Sequence, residues 1–184
     1  MKRLYRRVPQ NAHVVCYDEF GPIELRPVHG AVWARKREPD RLPATYRRPH
    51  GVRHLLAFYD VHEDFLWGYF RARKRWQEVL AVLQRVRQRY PDGERIYLVM
   101  DNFSPHRRAE IRRWARKANV TLVWTPTNAS WLNRIECQFT ELKSAVFHNT
   151  YYTKHNDVKH YTYRFLRYRN ARNKKRKLLN LKRH

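Results

Sequence analysis

The chain has 184 residues, 42% of them hydrophobic, enough to bury one core of ordinary size; it is not a disordered polycation. Lys and Arg outnumber Asp and Glu by 40 to 16, for a net charge of +24, which points to a polyanionic partner and above all to nucleic acid. No apolar run approaches the roughly 18 residues that span a bilayer, and the basic start at Met1–Arg7 lacks the apolar segment of a signal peptide.

A ribosomal-type or membrane-surface protein is the plainer alternative. The only cysteines, Cys16 and Cys137, are far apart and form no paired metal motif. A reduced, cytoplasmic setting follows as the simplest expectation.

Residues 1–12 are basic and read as an arm. Residues 13–20 read as a buried strand. Residues 21–53 hold Pro22, Pro27, Pro39, Pro43 and Pro49, so this stretch is expected to be loop, with at most a short strand near Ala31–Ala34. His54–Asp60 and Phe65–Phe70 look like two strands, joined by a hairpin turn at Val61-His62-Glu63-Asp64. Trp76, Val79, Leu80, Val82, Leu83 and Val86 recur at helical spacing and predict a helix over 75–90, stopped by Pro91-Asp92-Gly93.

Ile96–Met100 is a continuous apolar run, which suits a strand covered on both faces. A basic helix is expected near 106–118, then a strand at Val120–Trp124 closed by Pro126. Ser130 is a plausible N-cap for a helix starting at Trp131, with Trp131, Ile135, Phe139, Leu142 and Val146 as its apolar stripe. Glu136 falls about 100° around from Ile135, at the stripe's margin. A last helix is expected over 157–170. Early strands followed by strand–helix alternation predict an α/β fold, a mixed sheet flanked by helices. Sites in such sheets form at the carboxyl ends of parallel strands, where Asp18 and Asp101 fall.

Asp18, Asp101 and Glu136 are the candidate catalytic and metal-binding residues, with 34 residues between the last two. A single Asp at a strand end ordinarily caps a turn, and a single helical Glu is ordinarily solvated. Three converging carboxylates repel one another, and a divalent cation resolves the conflict. Oxygen-only donors favour Mg²⁺ or Mn²⁺. Two such ions about 3.5–4 Å apart stabilise both the attacking and the leaving oxygen of a phosphoryl displacement.

Tyr17-Asp18-Glu19-Phe20-Gly21, Leu98-Val99-Met100-Asp101-Asn102 with His106, and Trp124-Thr125-Pro126 followed by Ser130-Trp131-Leu132-Asn133-Arg134-Ile135-Glu136 resemble the motifs of DDE transposases. The 34-residue gap resembles the mariner superfamily, in particular its bacterial insertion sequence 630 branch. Pro27-Val28-His29-Gly30-Ala31-Val32-Trp33 is similar to that branch's loop between its first two strands. The likeness covers residues 13 to 170.

The resemblance implies a ribonuclease H-like domain over 13–170, between a basic N-terminal arm (1–12) and a basic C-terminal tail (171–184). It implies Asp18, Asp101 and Glu136 as the acids that hold two Mg²⁺ (or Mn²⁺) ions for DNA cleavage and strand transfer. It implies double-stranded DNA as partner, both transposon ends and target, and a homodimer by analogy. A bacterial, nucleoid-associated cytoplasmic location goes with it, and no membrane. Asn102, His106, Asn133 and Arg134 are candidate DNA contacts or orienting groups. Asn102 has a plainer reading as the cap of the next helix, and so does His106. Relatives carry helix-turn-helix modules before the catalytic domain. Only about a dozen residues precede the first strand here, so a catalytic-domain fragment, a split reading frame or a decayed copy is expected, with a separate end-binding subunit.

Glu19 should point to the opposite face from Asp18 and take a structural role. His50 and His54 offer no zinc site, because Pro49 and Gly51 argue against a helix between them. Basic groups gather at Arg71–Arg75, along Arg107–Lys117, and over 164–183. Tyr161, Tyr163, Phe165 and Tyr168 could stack on bases or pack the last helix onto the sheet. Two alternatives stand beside the transposase reading: a non-enzymatic DNA-binding remnant, and a ribonuclease H-like nuclease.

Overall fold

The computed structural model describes residues 1–25, 51–127 and 129–181. The Pro27–Trp33 segment, the expected strand at Ala31–Ala34 and His50 lie outside the described residues. In chain order the elements are α1 (Lys2–Arg6), β1 (Ala12–Glu24), β2 (Val52–Asp60), β3 (Phe65–Arg71), α2 (Trp76–Arg87), β4 (Arg95–Met100), α3 (Ala109–Lys117), β5 (Val120–Trp124), α4 (Glu136–Leu142) and α5 (His155–Leu181).

The five strands form one mixed sheet in the order β3-β2-β1-β4-β5. The pairs β1–β2 and β2–β3 are antiparallel, whereas β1–β4 and β4–β5 are parallel. β1 is therefore the central strand. Its residues Val14–Tyr17 are fully buried, because both faces are covered. Val14 and Cys16 enter a core with Ile135, Leu142, Val158 and Leu166 from α4, α5 and the turn before α4. Val15 and Tyr17 enter a second core with Val79, Leu83, Ile111 and Ala115 from α2 and α3. This two-sided burial is why the strands read as unbroken apolar runs.

The hairpin between β2 and β3 is set by Asp60, whose Oδ1 accepts from the backbone N–H of His62 and of Glu63, both at 3.1 Å. Its Oδ2 accepts from the Tyr90 hydroxyl at 3.0 Å. The outer strand β3 is capped by a side chain. Asn170 of α5 accepts from Leu66 N–H (2.9 Å) and donates to Leu66 C=O (2.8 Å), as a further strand would. Gly68 of β3 pairs with Ala57. A Cβ there would stand 2.8 Å from the Leu56 carbonyl oxygen and 2.9 Å from Leu55 Cδ1. Gly68→Ala should therefore destabilise the fold by about 1–3 kcal/mol through overpacking, read as a lower urea midpoint.

Several boundaries differ from the sequence expectations. The basic helix expected at 106–118 is split. A 3₁₀ turn covers Ser104–Arg107, Arg108 is extended (φ −60°, ψ 142°), and α3 starts only at Ala109. The helix expected from Trp131 is instead a 3₁₀ turn at Ser130–Leu132, and α4 begins at Glu136. Ser130 is not its N-cap, and Trp131 is 73% exposed rather than part of the apolar stripe. The physical reason is Asn133: it is extended (φ −79°, ψ 108°) and its side chain is committed elsewhere. After Leu142 the chain makes a π-helical turn, Lys143–Phe147.

The last helix runs past Asn170 to Leu181, so residues 171–181 of the basic tail continue it. Its 27 residues make it about 40 Å long. Tyr163 packs edge-on against Phe70, and Phe165 joins the core, while Tyr161 and Tyr168 stay exposed. The N-terminal arm is not free. Met1, Leu4, Tyr5 and Val8 pack on the core, and the Tyr5 hydroxyl donates to Leu132 C=O at 2.9 Å. Among the described residues no helix is long and apolar enough to cross a membrane.

Candidate active site

The parallel register fixes the first two acids. Cys16 lies opposite Val99 in the β1–β4 pair. Asp18 and Asp101 each follow two residues later, so they stand side by side where β4 ends and its pairing with β1 stops. β1 itself runs on to Glu24, so Asp18 lies inside the strand rather than at the strand end expected from the sequence. Alternation puts both on the face of Cys16 and Val99, the face onto which Ile135 and Leu142 pack. Glu136 opens α4 on that same face.

The turn carrying Glu136 is held to the strand carrying Asp18. Asn133 is buried, and its Nδ2 donates to the Tyr17 carbonyl at 2.9 Å. The backbone N–H of Glu136 donates to Asn133 C=O at 3.1 Å. Asn133 thus ties the turn before α4 to β1. Arg134 is exposed, with its guanidinium 4.8 Å from the centre of the Tyr5 ring. Asn102 is no helix cap: its Nδ2 donates to Thr125 C=O at 2.5 Å, tying the ends of β4 and β5.

His106 neither caps a helix nor faces solvent. It is fully buried, with Nδ1 at 2.6 Å from Asp101 Oδ1 and Nε2 at 2.6 Å from Glu19 Oε1. Glu19 lies on the opposite face of β1 from Asp18, as alternation requires. It accepts from the Tyr17 hydroxyl at 2.7 Å and pairs with Lys74 Nζ at 3.6 Å. Burial alone would drive the His106 proton off. The bonds to Asp101 and Glu19 outweigh that and raise its pKa to about 9. The same bond, with the Phe103 N–H and the charges of His106 and Lys74, overcomes burial and holds Asp101 below the usual carboxylate range. Glu19 is likewise held low against its own burial. Glu19, Lys74 and the Tyr5 contact were not picked out as site residues from the sequence. Glu19 and His106 meet from 87 positions apart, and no spacing rule announces such a pair.

Asp18 behaves oppositely. Its carboxyl is pushed up to about 8, first by burial and then by the negative charges of Glu136, Glu19 and Asp101, against one Glu19 N–H bond at 2.8 Å. Among the described residues no three His, Cys, Asp or Glu side chains stand together as a ready metal cage. The donor chemistry nonetheless fits a hard cation: oxygen donors that repel one another when ionised. A cleft of about 530 Å³ opens beside Glu136, between Phe20, Pro22, Phe139 and Lys143.

Residues 13–159 match the model of a DDE superfamily endonuclease. The chain belongs to that family. No curated protein matches it in sequence. Among solved structures it is similar to the Mos1 transposase paired-end complex with left transposon end (TM-score 0.64, 13% identity, covering 90% of this chain and 50% of that one). It is similar too to the Mos1 mariner paired end complex with Mn (TM-score 0.64, 14% identity, 93% and 56%). A third likeness is to the simian T-cell lymphotropic virus intasome in complex with PP2A regulatory subunit B56 gamma (TM-score 0.52, 12% identity, 73% and 40%). At these identities the likeness speaks to the fold, which is the ribonuclease H-like mixed sheet flanked by helices. The chain spans about half the length of the Mos1 chains it matches.

Proposed function

We propose that this DDE endonuclease domain cuts and joins DNA strands as the catalytic part of a transposase of the mariner superfamily, insertion sequence 630 branch. Asp18, Asp101 and Glu136 are its catalytic acids. The observation that carries this reading is the parallel register that sets Asp18 beside Asp101, with Glu136 pressing on the Asp18 carboxyl from α4. The three would together hold two Mg²⁺ or Mn²⁺ ions. When bound, these supply Lewis acidity toward the attacking water or 3′-hydroxyl and toward the departing 3′-oxygen.

The remaining work belongs to the chain itself. Asp101 is aimed by His106, which Glu19 holds from behind. Asn133 sets the distance between the Glu136 turn and the Asp18 strand. Lys74 and Arg134 supply positive charge near the acids, and the exposed Arg112, Arg113 and Arg116 of α3 add to the field that attracts DNA. Double-stranded DNA, as transposon end and as target, is the substrate. Pairing of two ends calls for a homodimer, and recognition of the end sequences falls to a helix-turn-helix module outside these residues. The working place is the bacterial nucleoid.

The test is nicking of supercoiled plasmid by the purified chain with Mn²⁺, against an EDTA control. Nicked product that needs the metal supports the reading; equal product with EDTA sinks it. Binding to duplex DNA should also weaken with salt. Each phosphate neutralised contributes about −0.9 to the slope of log K against log [NaCl]. Arg134→Gln should flatten that slope by about 0.9 if its guanidinium meets a phosphate, measured by fluorescence anisotropy across a salt series.

A further inference from the structure

Two aromatic rings stand in solvent on the turns that carry the acids. Trp131 is 73% exposed and Phe103 is 38% exposed. An indole so open gains nothing for the fold, and a ring beside a charged site calls for a partner with an apolar face.

Both rings are exposed but held. The Trp131 turn is closed by Leu132 N–H to Ala129 C=O (3.0 Å) and Asn133 N–H to Ser130 C=O (2.7 Å). It is then pinned to the body by Tyr5 on one side and Asn133 on the other. Phe103 donates its N–H to Asp101 Oδ1 at 3.1 Å and accepts from His106 N–H at 2.9 Å. Lys74 Nζ lies 4.4 Å from the centre of the Phe103 ring, and the exposed Arg134 follows Trp131 by three residues. Phe103 therefore has a cation against its ring, while the Arg134 guanidinium lies over the Tyr5 ring that pins the Trp131 turn. A flat apolar face next to a positive charge, on a backbone that loses little freedom on binding, matches one nucleotide: base on ring, phosphate on cation.

We propose that Trp131 and Phe103 are stacking platforms on either side of the acids, and that they take unpaired bases of the DNA strand entering the site. The inference rests on the DNA-processing reading above and adds the form of the substrate. In a closed duplex each base already has both faces stacked on its neighbours. Only a frayed end or a single strand offers a free face, so the site selects DNA that is melted at the point of attack.

The experiment measures binding alone, in EDTA, so that no cleavage enters. Fluorescence anisotropy compares two duplexes of one sequence, one fully paired and one with a short unpaired 3′ end carrying 2-aminopurine. The wild-type chain should prefer the frayed duplex by about tenfold, the order expected for one stacked base. The 2-aminopurine emission should change on binding. Trp131→Ala should lose most of that preference and that change, while Trp131→Phe should retain them. Trp131 lies outside the core, and an unchanged melting temperature confirms that the variant is folded. Equal affinity of wild type and Trp131→Ala for the frayed duplex would overturn the proposal. So would a Trp131→Ala defect confined to self-association of the DNA-free protein. Nicking that depends on the acids can survive either result, and stacking can survive a failure of nicking, so the two readings stand or fall separately.

Discussion

Asp101→Asn should lower metal-dependent nicking by at least about 10²-fold, the loss that follows when a reacting geometry is displaced by only about 1 Å. The substitution is chosen to separate chemistry from structure. Asn keeps the shape of the side chain and an Oδ1 that still accepts from Phe103 N–H, which the wild type does at 3.1 Å. What it removes is the negative charge beside Asp18 and one anionic oxygen that a cation would use. Asp18→Asn and Glu136→Gln should each produce a loss of the same order, since the three are asked to act as one unit and such losses do not add. Calorimetry with Mn²⁺ supplies the second readout: wild type should bind two ions and Asp101→Asn fewer. If Asp101→Asn nicks as well as wild type, the acids are not the engine. A basic DNA-binding remnant is then the better description. Preference for an RNA–DNA hybrid over duplex DNA would instead favour a ribonuclease H-like nuclease.

Arg169→Met should be the most damaging single change away from the acids, at about 3 kcal/mol. Arg169 is 2% exposed. Its guanidinium donates to the Asp64 carboxylate at 2.7 Å, to the Asp64 carbonyl at 3.0 Å and to Gln138 Oε1 at 2.5 Å. It also lies 5.5 Å from the centre of the Tyr59 ring. One side chain thus joins α5, the β2–β3 hairpin and α4. Met keeps the apolar stem and removes every donor, so the acceptors around it lose their partner. For a chain of this size the melting temperature should fall by about 6–12 °C. Arg164→Met, an exposed position on the same helix, is the control and should move stability by no more than about 0.5 kcal/mol.

Both predictions depend on contacts of very different legibility. The buried strand cores could be read from the sequence because burial on two faces leaves a plain trace. The end of β1 could not: it runs to Glu24 rather than stopping at residue 20, so Asp18 lies inside it. Val14–Tyr17 and Ile96–Met100 are unbroken apolar runs, each finishing on an acid, and β5 falls at Val120–Trp124 as its pattern predicts. Helix starts were less legible. Ser130 followed by spaced apolar residues imitates a capped helix, yet the chain stays non-helical until Glu136 because Asn133 gives its amide to Tyr17, 116 positions away. The split at Arg108 is likewise invisible to periodicity. Arg169 read as one more cation in a basic tail, and only the fold shows that it is enclosed. Local pattern carries backbone periodicity, whereas these decisions are made by partners that meet only when the sheet has formed.

The back-to-back placement of Asp18 and Glu19 on β1 has an evolutionary corollary. Neighbouring positions serve opposite sides of the sheet, Asp18 facing the charges of Glu136 and Asp101 and Glu19 bracing His106. A single-codon insertion or deletion within β1 would slide the strand by one place and exchange the two acids. Natural variants should therefore tolerate length changes in the loops around this strand but never within its Val14–Glu19 stretch, however conservative the inserted residue.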